Sequence, residues 1–236
     1  MIAMDAPTRI KPAIHDAASL FVIDASGPEP RVLAGRRASG HVFMAGKTVF
    51  PGGRVDLDDS RLARRYRISP PACERLLAGT RRGFTANRAA AIALAAIREG
   101  YEEAGIMIGR PGAFRAPCPA WAAFEERAVQ PAPDLLTPVA RAITPPGQKR
   151  RFDARFFAVD ARHIAWRTPA DALPTDELDD VAWMSFAELK RQPLAEITQL
   201  ILSGLIRRIA DGNLFDSSAP MVVHRRQPNG FKTIFV

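Results

Sequence analysis

The sequence predicts an α/β fold in which a mixed β-sheet packs between helices, and three observations predict it. Two apolar, partly β-branched runs, Ala17 to Asp24 and Arg31 to Arg37, flank the turn residues Ser26 to Pro30 and read as a hairpin. Residues 87–105, NRAAAIALAAIREGYEEAG, read as a long helix, because Ala90, Ala93, Leu94, Ile97, Gly100, Tyr101 and Ala104 share one side at helical spacing. Further on, Lys149 to Asp160 alternates like a strand, and Pro193 to Ile209 has the Ile/Leu spacing of an amphipathic helix.

Taken in order, residues 1–15 read as a loose arm. His41 to Phe50 forms a third extended segment leading into Pro51-Gly52-Gly53, where paired glycines allow a close backbone approach. Ser60 to Ala86 is Arg-rich with Pro70-Pro71 near its centre, and Ala72 to Gly79 has the makings of a short helix. The long helix has Asn87 as its expected N-cap and Gly105 as its C′ residue. Pro119 to Val129 reads as a short helix and Leu135 to Ile143 contains a strand. Asp176 to Phe186 is an acidic loop running into a Trp-containing strand, and residues 211–236 form a partly β-like tail suited to pairing with a sheet or another subunit.

The long helix also carries chemistry. Glu99, Glu102 and Glu103 fall in one narrow arc opposite the apolar side. Like charges at these spacings repel, and a surface helix would interleave them with Lys or Arg, so a cation would relieve the arc. Carboxylate oxygens suit a hard divalent ion such as Mg²⁺ or Mn²⁺. Arg98, beside the arc, is placed to hold a carboxylate in its rotamer. Alone, such an arc reads more readily as a solvated acidic face, since short motifs match by accident.

Together with the upstream stretch Val49 to Asp56, Gly53, Arg98, Glu99, Glu102, Glu103, Gly105 and Ile106 resemble the Nudix box, G-x5-E-x7-R-E-U-x-E-E-x-G-U with U apolar. Gly100 stands where a larger apolar residue is usual, which costs roughly 1 kcal/mol of helix propensity but lets the helix approach the sheet. Asp59 stands where the motif has Glu, and 38 residues (60 to 97) follow it where the motif has seven. An insertion, about residues 60–86, therefore interrupts the box and reads as a lid or specificity element slightly ahead of a packed excursion. Interrupted boxes of this kind resemble the acyl-coenzyme A diphosphatases. Val42 to Gly53 is similar to their lead-in and keeps a G-x3-FPGG spacing through Gly46, Phe50, Pro51, Gly52 and Gly53.

The resemblance implies an α/β/α sandwich over residues 16–210, with the arm and tail outside it. It implies metal ligation by Gly53, through its carbonyl, and by Glu99, Glu102 and Glu103, with Glu99 and a distal-loop acid competing as general base. Glu177 is the choice for that acid, with Asp180 second. Arg151 and Arg155 lie on the polar face of the alternating strand; beside the metal loop they would neutralise phosphate charge, though cross-strand pairing is an equal reading. Arg36 and Arg37 are further candidates for the substrate. The implied activity is metal-dependent hydrolysis of a nucleoside diphosphate derivative, with coenzyme A or an acyl derivative leading. The alternatives are another nucleotide substrate, capped RNA included, and a Nudix-fold regulator that binds without hydrolysing.

Composition sets the boundaries. A hydrophobic content of 47% with 25% charged residues is globular, and a mean hydropathy of −0.08 argues against a membrane protein. The N-terminus has no apolar signal-peptide core, and two cysteines form neither a disulfide framework nor a zinc spacing, so a reducing cytoplasm is expected. A net charge of +8 points to an anionic partner, here a small nucleotide. The basic residues come in short separated groups (Arg36-Arg37, Arg64-Arg65, Arg81-Arg82, Lys149-Arg150-Arg151, Arg225-Arg226) with 8% aromatics, which argues against nucleic acid. Family resemblance allows a homodimer, and no segment decides it.

Overall fold

The computed structural model describes residues 12–38, 46–169, 172–228 and 230–236. Strand β1 (Ile14–Asp24) is an interior strand of the main sheet, and the hairpin partner β2 (Arg31–Arg37) pairs with it antiparallel, Ile23 opposite Val32. Short strands β3 (Thr48–Val49) and β4 (Gly52–Arg54) pair with β2 and β1 respectively. Helix α1 (Leu57–Leu62) carries Asp59 and runs into the inserted segment, which also holds α2 (Pro70–Leu77). The long helix α3 (Ala86–Ala104) follows, then β5 (Ile106–Pro111), α4 (Ala122–Glu126), β6 (Val129–Pro131), β7 (Thr137–Ile143), β8 (Arg151–Asp160) and β9 (Ile164–Arg167). Strand β10 (Leu178–Ser185), helices α5 (Phe186–Lys190) and α6 (Glu196–Ala210), and the hairpin β11 (Val222–Gln227) and β12 (Gly230–Phe235) complete the chain.

The main sheet runs β10-β2-β1-β8-β7-β11-β12 and is mixed: β1 and β8, and β7 and β11, are parallel, the other neighbours antiparallel. A smaller sheet runs β6-β5-β9. Period-two alternation sends Leu20, Val22, Phe157 and Val159 to one face of the main sheet, against Leu94 and Ile97 of α3. Phe21, Ile23 and Ala158 go to the other, against Leu189 of α5 and Ile201 and Leu205 of α6. Two cores on two faces make the α/β/α sandwich. Among the described residues no helix is long and apolar enough to cross a membrane.

Several local expectations shift. Helix α3 starts at Ala86, with Thr85 rather than Asn87 as its N-cap: Thr85 has extended backbone and accepts from the Arg88 amide at 3.2 Å. Asn87 instead donates to the Ser60 carbonyl. Strand β1 begins at Ile14, inside the expected arm, because it pairs in parallel with Arg151. The segment after residue 210 lies in the sheet, with Met221 and Val223 buried and β11 paired to β7. The insertion is packed rather than a free cover: Leu62, Ala63 and Leu76 are buried in the α3 core, and Arg75 donates to the Ser218 carbonyl. Residues 42–45 of the coenzyme A-like stretch, and residues 1–11 of the arm, lie outside the described residues.

Candidate active site

The site forms where the last turns of α3 meet β4. Strand β4 pairs with β1 at Ala18 and Ser19, and two close approaches require its glycines. A Cβ on Gly52 would strike the Ala18 carbonyl and Ser19 backbone, and one on Gly53 would overlap the Glu99 carboxylate. Helix α3 reaches this loop because Gly100 lets it settle on the sheet: a Cβ there would sit 3.1 Å from Leu20 Cδ2. Gly105 ends the helix in the left-handed region, φ 67°, its amide bonded to the carbonyls of Gly100 and Tyr101.

Arg98 organises the carboxylates from beneath. Its Nε and Nη2 donate to the two oxygens of Asp59 at 3.1 and 3.0 Å, Nη2 also to the Arg54 carbonyl, and Nη1 to Glu99 (2.9 Å) and Glu102 (2.7 Å). Both members of the Arg98–Asp59 pair are buried. Burial alone would weaken the Arg98 charge, but Asp59, Glu99 and Glu102 outweigh it and raise its pKa. Asp59 also accepts from the Asp56 amide, closing the first turn of α1. Thus the residue that departs from the box motif holds the box arginine. The signal was its position, six residues after Gly53, but its role as a partner of Arg98 was not read.

Glu103 is buried and accepts from the Gly52 amide at 2.9 Å. Its other oxygen accepts from Arg37 Nη1 at 3.1 Å, and Arg37 Nη2 reaches Glu177 at 3.0 Å. Three candidates distant in sequence therefore meet. Burial pushes the Glu103 carboxyl up to about 8, the Glu99 and Glu177 charges adding to it against the Gly52 amide and Arg37. Burial likewise lifts Glu99 to about 7, opposed by Arg98 and reinforced by Glu102. Glu102 rises for the same first reason.

These oxygens are a hard-donor set whose ionised forms are disfavoured, which is where a divalent cation fits. The arc is not a closed cage. Among the described residues no three His, Cys, Asp or Glu side chains converge on one ion position; Arg98 bridges Glu99 and Glu102, and Arg37 bridges Glu103 and Glu177. Glu99 lies against Gly53 and Glu103 against the Gly52 amide, while Glu99 and Glu102 both accept from Arg98 Nη1.

Other candidates stand elsewhere. Arg36 pairs at the surface with Asp180, 2.9 Å away. Arg155 is a correction: it is fully buried, paired with Asp16 and Asp153 and lying over the Phe84 ring, not on the arc. Arg151 is likewise away from it, donating to the Thr144 carbonyl. The alternation had the right period, but the polar face of β8 near its start opens beside the α2 end and β7, not beside β4.

No protein-family model and no curated protein sequence matches the chain. Solved structures do. A Nudix hydrolase from Alicyclobacillus acidocaldarius is 26% identical over 81% of this chain and 90% of its own, with a TM-score of 0.62. The Nudix domain of Shewanella oneidensis NrtR, solved with ADP ribose, is 13% identical over 88% of this chain and 95% of its own, TM-score 0.47. The MutT protein of Methanosarcina mazei is 15% identical over 85% and 98%, also at 0.47. The fold of this chain, a mixed sheet between helices, is the fold of the Nudix hydrolases.

Proposed function

We propose that the chain hydrolyses the diphosphate bond of a nucleoside diphosphate derivative, and that its substrate is coenzyme A or an acyl-coenzyme A, cleaved to 3′,5′-ADP and the corresponding phosphopantetheine. The observation that carries the hydrolase reading is the seating of Glu99 and Glu103 against Gly53 and Gly52, with Arg98 and Asp59 behind them. The coenzyme A reading is supported by the spacing of Gly46, Phe50, Pro51, Gly52 and Gly53 and by the net charge of +8, suited to a substrate with three phosphate groups.

Mg²⁺ or Mn²⁺ held by Glu99, Glu103, the Gly53 carbonyl and Glu102 would supply Lewis-acid stabilisation of the diphosphate and lower the pKa of a bound water. The chain's own residues do the rest. Asp59 and Arg98 fix the rotamers of Glu99 and Glu102, so the donors are in place before substrate arrives. Arg37 offsets the charges of Glu103 and Glu177 and is the cation nearest the arc from β2. Glu99, and Glu177 on the open side, are the two carboxylates that compete to accept the water proton.

The test is incubation with Mg²⁺ or Mn²⁺ and a panel of coenzyme A, acetyl-coenzyme A, NADH, ADP-ribose, UDP-glucose and dNTPs, read by mass spectrometry. Release of 3′,5′-ADP with the others intact supports the proposal. Cleavage of another compound alone removes the coenzyme A assignment, and no cleavage with either metal favours a binding protein. Glu103→Gln should abolish turnover while leaving the circular dichroism spectrum intact; unchanged turnover would remove the metal-site assignment.

A further inference from the structure

We propose that the chain has a second anion site, for a small multiply charged phosphate compound, in the arginine-lined cavity between the end of α2, the end of β7 and strand β11. Three of the five basic groups scattered through the sequence converge there. Arg81 comes from the loop after α2, Arg151 from the start of β8 and Arg225 from β11. Parallel pairing of β11 with β7, Arg225 opposite Ile143, brings the last group to the others.

Charge in this cavity is unbalanced. Its floor, Arg141, is buried and spent: Nε and Nη2 form a bidentate pair with Asp153, and Nη1 donates to the Gly79 carbonyl. Arg226, on the rim, pairs with Glu196 and lies over the Phe231 ring. Arg151 gives Nε and Nη2 to the Thr144 carbonyl, which leaves its charge uncompensated; for Arg151, Arg81 and Arg225 no carboxylate among the described residues lies within 4.0 Å, and no carboxylate lines the cavity. Three like charges on one concavity repel each other unless an anion sits between them, and a guanidinium fork suits phosphate oxygens. The cavity volume is about 470 Å³. That lies within the range of small-molecule pockets, and the site is shallow and open to solvent, so charge rather than enclosure would hold the anion there.

This place is separate from the carboxylate arc. Arg151 stands opposite Ile14 of β1 and Gly53 opposite Ala18. Four residues of strand put the two levels roughly 13 Å apart. No residue lining the cavity belongs to the arc.

The experiment titrates the full chain, metal-free in EDTA, with sodium tripolyphosphate by isothermal calorimetry. One saturable, salt-sensitive site is expected. Arg81→Glu and Arg225→Glu, both exposed and with melting temperatures near wild type, should each weaken it by about tenfold or more. Glu103→Gln should leave it unchanged. The proposal is overturned if neither arginine variant alters the affinity, if Glu103→Gln removes it, or if a short single-stranded RNA binds through Arg225 more tightly than tripolyphosphate.

Discussion

Replacing Glu99 by Gln should stabilise the metal-free protein at alkaline pH while destroying turnover. Glu99 lifted from 4.5 to about 7 means that the folded state holds a proton the unfolded state has released throughout that interval. The sign follows: Glu99 contributes its full stability below pH 4.5 and loses it as pH rises through about 7, and Glu103 carries the same trend on to about 8. Above pH 7.5 the buried Glu99 charge costs roughly 3 kcal/mol against its ordinary value. Glu99→Gln keeps the oxygen that accepts from Arg98 and removes that charge. For a chain of this length each kcal/mol moves the melting temperature by roughly 2–4 °C, so a rise on the order of 5 °C or more is expected at pH 8.5. The assay is thermal melting of both proteins in EDTA from pH 5 to 9. At pH 5 the curves should lie close together, then separate further as pH rises; Mg²⁺ should raise the wild type at pH 8.5 and the variant less. A variant that melts no higher than wild type at pH 8.5 would refute the reasoning that burial and neighbouring carboxylates govern this site.

Other substitutions probe the supports. Gly53→Ala places a methyl group within the space of the Glu99 carboxylate, so turnover should fall at least about a hundredfold with the fold retained, as catalysis depends on ångström-scale placement; activity near wild type would show that Glu99 is free to move. Asp59→Asn leaves the buried Arg98 without its bidentate partner and should cost about 3–5 kcal/mol in urea unfolding, a loss below 1 kcal/mol contradicting the role given to Asp59. Gly100→Ala gains roughly 1 kcal/mol of helix propensity but pushes on the buried Leu20, so no net rise in stability is expected; a clear rise in melting temperature would mean that the approach of α3 to β1 has slack.

Local spacing carried the parts of the site that lie within one element. The 3.6-residue period places Glu99, Glu102 and Glu103 on one arc whatever surrounds them, and the two-residue period assigns Phe156 and Phe157 to opposite faces. The need for glycine at 52 and 53 was readable because a box loop and its helix are joined by a motif. Tertiary structure alone decided which distant side chains meet. Arg37 and Glu177 are 140 residues apart, and only the pairing of β10 with β2 brings them to Glu103. Periodicity marks the face of β8 that Arg151 and Arg155 occupy, but not that Asp16 and Phe84 close over one and that Arg81 and Arg225 crowd the other. Composition left the insertion open between a lid and a packed excursion; Leu62, Ala63 and Leu76 dock on α3, and burial of that kind depends on the partner surface. Long-range contact follows from strand order and register, which no local spacing encodes.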